Sequence, residues 1–198
     1  MCRRIGITGG SGSGKGYVCG LLKEMGYACI DTDSVVHTLY STNVDCLNDL
    51  RNEFGDEIFE NGAVVRPRLA NIVFFDAEKL KKLNSIVHKY VILECDRISE
   101  ELFKNGHKAV FIDAPQLYEA GMDKTLDAVI AVIAPKEVRF KRIIERDSIS
   151  ESQALSRINN QHSDDFFIEN ADFIINNASS SENELKNRLK EIISQLSI

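Results

Sequence analysis

The chain has 198 residues, of which 43% are hydrophobic and 27% charged, and its formal net charge is −6 at pH 7. That length accommodates one domain with a substantial core and a small additional lobe, and the composition is ordinary for a soluble globular protein. The negative charge argues against a general nucleic-acid binder or a membrane-surface protein.

The five cysteines are scattered and form no C-x-x-C pair, and the four histidines show no metal-ligand spacing. Scattered, unpaired thiols are typical of a reducing compartment. The sequence shows no signal-peptide pattern and no apolar run of about 18 residues. We therefore expect a cytoplasmic protein without a disulfide framework.

The first predicted element is a β-type apolar run from Arg3 to Thr8, followed by a glycine-rich turn and a helix from about Lys15 to Met25. The segment "YACID" (Tyr27–Asp31) predicts a short buried strand. From Asp33 to Lys104, apolar residues recur three and four positions apart, and this spacing predicts an almost wholly helical tract.

Two continuous apolar runs ended by proline come next, Lys108–Pro115 and Asp127–Pro135, and they are typical of strands buried on both faces. The rest of the chain predicts helices over Arg139–Gln161, a last strand over Ala171–Asn176 and a last helix over Ser181–Leu196. Serines in Ser179–Ser181 can cap the start of this last helix. Alternating strands and helices imply a parallel sheet covered on both faces. Because the helical tract is too long for one crossover, we expect a separate helical lobe over the carboxyl edge of the sheet.

The glycine turn carries the pattern of a phosphate-binding loop, Gly-x-x-x-x-Gly-Lys-Ser/Thr, at Gly9, Gly14 and Lys15. Such glycines let successive N–H groups point at phosphate oxygens, while the helix start adds partial positive charge and the lysine reaches the outer phosphates. A dinucleotide-binding pattern would need glycine where Lys15 or Tyr17 stands. The usual magnesium-ligating hydroxyl is replaced by Gly16, so we expect nucleotide binding to be retained and metal positioning to be weakened.

Acidic residues follow two of the predicted strands. Asp31 is the last residue of the second strand, and Asp33 follows two positions later. One of these carboxylates could accept a proton from an attacking hydroxyl, hold a metal-bound water or cap the next helix. Asp113 ends the third strand, where this fold class often places a magnesium-ordering carboxylate. Among the basic residues of the later helices, we expect Arg142 and Arg146 to stabilise phosphoryl charge, and we interpret most of the others as a solvated face.

Segments along nearly the whole chain match one known family in the same order. The loop "GITGGSGSGK" is similar to that family's "GLTGGIGSGKS", "CIDTDSVVH" to "IDADxIAR/H", and "FIDAPQLYEAG" to "xxDxPLLFExG". Further matches are "GAVVRPRLANIVF", "IVHKYV", "FKRIIERDSISESQALSRINNQ" and "ADFIINN". The sequence thus resembles the dephospho-coenzyme A kinase (dephospho-CoA kinase) family.

This resemblance implies an α/β phosphate-loop kinase with a parallel five-stranded sheet, helices on both faces, a helical acceptor-binding lobe and a helical lid. The chain would be one domain, 1–198, with its core at about 1–33, 105–140 and 168–198, the lobe at about 34–104 and the lid at about 141–167. The implied reaction uses ATP and Mg²⁺ to phosphorylate the ribose 3′-hydroxyl of dephospho-CoA, the last step of CoA synthesis. The implied partners are these small molecules, with no nucleic acid or membrane, and no oligomeric state is indicated.

Residue by residue, the resemblance places Thr8 and Asp33 near the acceptor hydroxyl, with Asp33 as the base. Asp33 and Asp113 are the expected metal-ordering carboxylates, Asp113 through water. The expected nucleotide site comprises Gly12, Ser13, Gly14, Lys15, Gly16, Tyr17 and Arg146, with Arg142 as the lid arginine. Arg66 and His88 match positions that line the acceptor lobe.

The chain departs from the family pattern at Gly16 (for Ser), Tyr17 (Thr), Lys89 (Pro), Gln116 (Leu) and Arg139 (Gln). Only Gly16 touches the chemistry directly. Two other interpretations stay open: another small phosphate-loop kinase that acts on a nucleoside or nucleotide, and a catalytically silent relative that binds ATP or CoA as a regulator. Gly16 is the only support for the silent relative.

Overall fold

The strands of the protein are β1 (Arg3–Thr8), β2 (Ala28–Asp31), β3 (Phe59–Glu60), β4 (Ala63–Val64), β5 (Ala109–Asp113), β6 (Ala128–Ile133) and β7 (Phe173–Asn176). They come from a computed structural model that describes residues 2–178 and 181–198. One sheet has the order β2-β5-β1-β6-β7, and β3 pairs with β4 in an antiparallel hairpin. β1 runs parallel to β5 and β6, and β6 runs parallel to β7. The predicted α/β fold with a five-stranded parallel sheet is confirmed.

The helices are α1 (Lys15–Glu24), α2 (Thr32–Thr42), α3 (Val44–Phe54), α4 (Arg66–Val73), α5 (Ala77–Lys104), α6 (Lys136–Asp147), α7 (Glu151–Asn159), α8 (Asp164–Asn170) and α9 (Glu182–Gln195). Short 3₁₀ turns cover Asp56–Ile58 and Met122–Thr125. Within the described residues, no helix has both the length and the apolar character that a membrane span needs.

The chain forms two units. The first comprises residues up to Ile30 together with Glu101–Ile198, and the second is Asp31–Glu100. In the second unit, α2 contacts α3 and β4, and the 3₁₀ turn at Asp56–Ile58 contacts α3 and α4. α5 is tied to α3 by the Tyr90 hydroxyl, which donates to Asp49 at 2.6 Å.

In the first unit, alternate residues of β6 enter two different apolar clusters. Ile130 and Val132 pack with the buried faces of α1 and α9. Ala131 and Ile133 pack with Phe167 of α8. Because successive strand residues point to opposite faces, the sheet is covered on both sides, as its continuous apolar strands predict.

The start of α9 is capped by Ser181, as predicted. Its side chain accepts the N–H of Glu184, and the Glu184 carboxylate accepts the N–H of Ser181 at 2.6 Å, which makes a reciprocal capping box. The other two predicted capping positions, Ser179 and Ser180, lie outside the described residues.

One local prediction is wrong. The tract predicted as almost wholly helical contains the β3–β4 hairpin, whose turn residues Asn61 and Gly62 have φ values of 50° and 81°. Asn-Gly is the preferred pair for such a two-residue hairpin turn, so the signal was present. A further helix, α8, begins after Ser163, whose side chain accepts the N–H of Phe166. The helical spacing over Arg139–Gln161 ends before it, although the helical lid expected at about 141–167 overlaps its first residues.

Candidate active site

The loop between β1 and α1 reaches the helix through a glycine in the left-handed region. Gly14 has φ 93° and provides no side-chain cap, and its carbonyl accepts the N–H groups of Tyr17 and Val18 at 3.0 and 3.1 Å. An uncapped helix start leaves backbone N–H groups for an anion. The loop therefore has the backbone form that phosphate binding requires. Among the predicted donors, the Tyr17 amide is engaged inside the first turn, and the Ser13 amide donates to the Gly10 carbonyl at 3.1 Å.

Lys15 and Asp113 form an ion pair at the carboxyl ends of adjacent strands. Asp113 is the last residue of β5 and lies beside Ile7 of β1 in the sheet register. The Lys15 ammonium group donates to the Asp113 carboxylate, and each side chain is only 15% exposed. The lysine that should hold nucleotide phosphates is thus held here by the carboxylate that we predicted to order the metal.

Two hydroxyl groups near the loop are buried without a hydrogen-bond partner in the described part of the chain. They belong to Thr8, the last residue of β1, and Ser13, with residue exposures of 0% and 1%. A buried hydroxyl without a partner is unfavourable, so a ligand or an ordered water is expected to complete both. Their positions agree with a binding site at this end of β1.

Arg142 packs against the loop. Its guanidinium group donates to the carbonyls of Gly12 and Ser13, both at 3.3 Å, and to the carbonyl of Asn177 at 3.0 Å. The buried Asn177 side chain also donates to the Ser13 carbonyl at 2.8 Å. In this arrangement Arg142 braces the loop backbone, and contact with a phosphoryl group would require these bonds to be exchanged.

Arg146, the second predicted arginine, is exposed and bound to its neighbour. Its guanidinium group donates to both carboxylate oxygens of Asp147, at 2.7 and 2.9 Å, and Arg157 donates to the same carboxylate. The hydrogen bonds from Arg146, and then those from Arg157, lower the pKa of Asp147 to about 2.

The two substituted positions after Lys15 lie on the exposed side of α1. Gly16 is open, since an added Cβ would meet no atom within 4 Å in the described chain. The Tyr17 hydroxyl donates to Glu182 of α9 at 3.1 Å. Partial burial is the main cause that raises the pKa of Tyr17, and the hydrogen bond to Glu182 is the second. The tyrosine thus links two helix starts.

In the second unit, the paired aspartates have different surroundings. The Asp31 carboxylate accepts the N–H of Asp33 at 3.0 Å and the hydroxyl of Ser34 at 2.7 Å, so it caps α2. Asp33 lies in the first turn with an exposed side chain. Of the other predicted residues, Arg66 begins α4 and is exposed, while His88 is half-buried in α5.

Sequence reasoning missed two residues that hold the phosphate loop. Arg139 departs from the family pattern and belongs to the basic residues that we interpret mostly as a solvated face, but it is 3% exposed and donates to the Ser11 carbonyl at 2.9 Å. Gln161 accepts the Ser11 N–H at 2.8 Å. The spacing of residues along this helix groups Arg139 with surface charges, so the sequence gives no indication that it is buried.

The site fits a magnesium ion held mainly by phosphates and water. Mg²⁺ usually keeps several waters and needs one or two carboxylates beside the phosphates of its nucleotide. Asp113 offers such a carboxylate next to Lys15, and the space beside Gly16 is open. Within the described residues, no group of three or more His, Cys, Asp or Glu side chains could form a ready-made cage.

The family model and the curated relatives point to the same family. A family model described as Dephospho-CoA kinase matches residues 3–183. The "Dephospho-CoA kinase" of Corynebacterium glutamicum is 36% identical over 194 residues, covering 98% of this chain and 99% of that protein. The crystal structure of TT1252 from Thermus thermophilus matches with a TM-score of 0.80 at 32% identity, covering 98% of each chain. A dephospho-CoA kinase structure from Campylobacter jejuni shares the fold, with a TM-score of 0.71 at 24% identity over 100% of this chain and 98% of that one.

Proposed function

The chain belongs to the dephospho-CoA kinase family, and from that premise we propose that it transfers the γ-phosphoryl group of ATP to the ribose 3′-hydroxyl of dephospho-CoA. The products are CoA and ADP, and the reaction completes CoA synthesis. The observation that carries this proposal is the family match from residue 3 to residue 183. The cytoplasm is the compartment that we propose, on the argument from the scattered cysteines.

The nucleotide binds at the loop before α1. The phosphates accept hydrogen bonds from the uncapped N–H groups at the helix start, and Lys15 exchanges its bond with Asp113 for the outer phosphates. This exchange is favourable because the triphosphate carries more negative charge than a single carboxylate. The Ser13 hydroxyl gains a partner in the same step.

Asp33 acts as the general base toward the acceptor. Both oxygens of Asp31 are used in capping α2, whereas the exposed Asp33 carboxylate is available to a ligand. Asp33 accepts the proton of the ribose 3′-hydroxyl as the new O–P bond forms, and the bond between the γ-phosphorus and the bridging oxygen breaks, so that ADP leaves with that electron pair. Thr8 orients the acceptor hydroxyl, while Arg66 and His88 bind other parts of the acceptor.

Asp113, released by Lys15, and Asp33 would hold Mg²⁺ through water. The ion supplies neutralisation of the negative charge on the phosphates. Gly16 offers no ligand, so a bound ion would depend on phosphate and water oxygens more than in a loop with serine or threonine. Arg142 and Arg146 are proposed to bind the nucleotide once their present hydrogen bonds have been exchanged.

The test is an assay of ADP release by the purified protein with ATP, Mg²⁺ and one acceptor at a time: dephospho-CoA, adenosine, uridine or AMP. We expect release that depends on dephospho-CoA and is abolished in Lys15→Ala. Equal or faster release with another acceptor would favour a different phosphate-loop kinase. Calorimetric binding of ATP without release for any acceptor would favour a silent regulator.

A further inference from the structure

A buried arginine, Arg139, lies under the phosphate loop. It is 3% exposed, and it is the only charged side chain in the buried class across residues 2–178 and 181–198. A buried charge is stable only when it is paired and hydrogen-bonded. The partners of Arg139 therefore show what this charge does for the fold.

The Arg139 guanidinium group has partners in the loop, in the turn between α7 and α8 and at the first residue of α8. Nε donates to the Ser11 carbonyl at 2.9 Å, Nη1 to Asp164 at 3.1 Å, and Nη2 to the Gln161 side-chain oxygen at 3.2 Å. The same Gln161 oxygen accepts the Ser11 N–H at 2.8 Å. Both backbone polar groups of Ser11 are thus held by one pair of side chains.

The loop glycines are shaped around this arginine. A Cβ at Gly10 would lie 2.2 Å from Nη2 of Arg139, and a Cβ at Gly12 would lie 2.6 Å from its carbonyl oxygen. Two of the glycines in the loop are therefore required by the close approach of α6. Because the Ser11 N–H is already bonded to Gln161, this amide is kept away from the phosphate-binding set.

We propose that Arg139 and Gln161 form a latch that positions the phosphate loop for ATP and couples it to the α7–α8 turn. The inference rests on the proposed function and deepens it: Arg139 is a positioning residue that acts through Ser11 and does not touch the nucleotide. Because both backbone polar groups of Ser11 are held, the free N–H groups of the loop already point toward the phosphate site. The loop therefore does not have to reorganise when phosphate binds. A shift of the turn that carries Gln161, together with the start of α8 at Asp164, would release this alignment.

Gln161→Ala is the main test because the residue is exposed and its loss should leave the fold intact. We expect ATP affinity, measured by calorimetry without acceptor, to fall between about tenfold and a hundredfold, the range for losing a hydrogen bond to a charged group. The KM for ATP should rise by a similar factor while the KM for dephospho-CoA stays unchanged. Asn160→Ala is the matched control, since the side chain of this neighbour of Gln161 donates to the Ser156 hydroxyl of α7 at 3.5 Å; it should behave as wild type.

Two further measurements separate positioning from a merely structural role. Hydrogen exchange of the Ser11 amide should be slow in wild type and fast in Gln161→Ala, while the far-ultraviolet circular dichroism spectrum stays that of wild type. Arg139→Lys keeps the charge but cannot bridge three acceptors, so it should also bind ATP more weakly. Wild-type ATP affinity in either Gln161→Ala or Arg139→Lys would overturn the latch. Since ATP binding is measured without acceptor, a protein that fails to phosphorylate dephospho-CoA would overturn only the proposed function.

Discussion

Replacing Gly16 with serine should lower the Mg²⁺ concentration needed for half-maximal rate and raise turnover. An added Cβ at this position meets no described atom within 4 Å, and the backbone is not in the left-handed region, so serine enters without strain. Its hydroxyl would stand where phosphate-loop kinases place a magnesium ligand. The substitution thus adds one ligand and changes little else.

The size of the effect follows from metal-site energetics. Loss of even an outer partner of a metal ligand costs about 10- to 100-fold in affinity or activity. Regaining a direct ligand should therefore lower the half-saturating Mg²⁺ concentration by at least about tenfold, equivalent to about 1.4 kcal/mol. Helix propensity favours serine over glycine by at most about 0.5 kcal/mol, so the melting temperature should barely change.

The assay is a Mg²⁺ titration of the initial rate at saturating ATP and dephospho-CoA. Gly16→Ala controls for the added carbon without the oxygen. Gly20→Ser controls for a serine elsewhere in α1, at a glycine whose surroundings are equally open. Identical Mg²⁺ dependence in wild type, Gly16→Ser and Gly16→Ala would refute the reasoning, because another group would then already supply the missing ligand.

Three further predictions address the base, the last helix and a charged cluster. Asp33→Asn should lower kcat by about 10²- to 10⁴-fold with little change in ATP affinity. Asp45 is an exposed acid in the first turn of α3, so Asp45→Asn should leave kcat unchanged in the same assay. Near-normal turnover in Asp33→Asn would place the base elsewhere. Ser181→Ala should lower the free energy of unfolding, measured by urea titration, by about 1 kcal/mol because the α9 cap is lost. Ser194→Ala removes an exposed hydroxyl from the same helix and is the control. An equally small loss of stability in the two variants would contradict the prediction. The pKa of Asp147 is lowered from the ordinary 3.8 to about 2 in the folded protein. Its ion pairs therefore stabilise the fold fully when the pH is above 3.8, and this stabilisation disappears as the pH falls toward 2. The difference in urea midpoint between wild type and Asp147→Asn should therefore shrink between about pH 5 and about pH 3, and a constant difference would show that the pairs add nothing.

The parts of the fold that sequence predicts well are those in which one local rule decides the outcome. The apolar run of β6 is buried on both faces because helices cover both sides of the sheet. Ser181 and Glu184 stand at the spacing of a capping box, and they form one. The phosphate loop follows from glycines that end at Gly14, whose φ of 93° suits no other residue as well.

The wrong or undecided parts depend on competition between local signals. The Asn61-Gly62 turn lies inside a tract with helical spacing, and the turn wins because both residues accept positive φ. Asp31 and Asp33 were interchangeable as cap and base in the sequence, and only the bonds to the Asp33 N–H and the Ser34 hydroxyl assign the cap to Asp31.

The bracing of the loop could not be predicted from the sequence at all. Arg139 bonds Ser11 across 128 positions of the chain, and Gln161 reaches it across 150. No periodicity links residues so far apart, and a basic helix gives no sign of which arginine is buried. Such contacts arise only when the sheet brings the loop and α6 together.

The central claim is the chemical identity of the product, and ³¹P NMR of the reaction mixture tests it most directly. With ATP, Mg²⁺ and dephospho-CoA, we predict a new phosphomonoester resonance that couples to the ribose 3′ position and grows in step with ADP. Loss of ATP phosphate to inorganic phosphate, or a phosphomonoester at any other hydroxyl, would contradict the account.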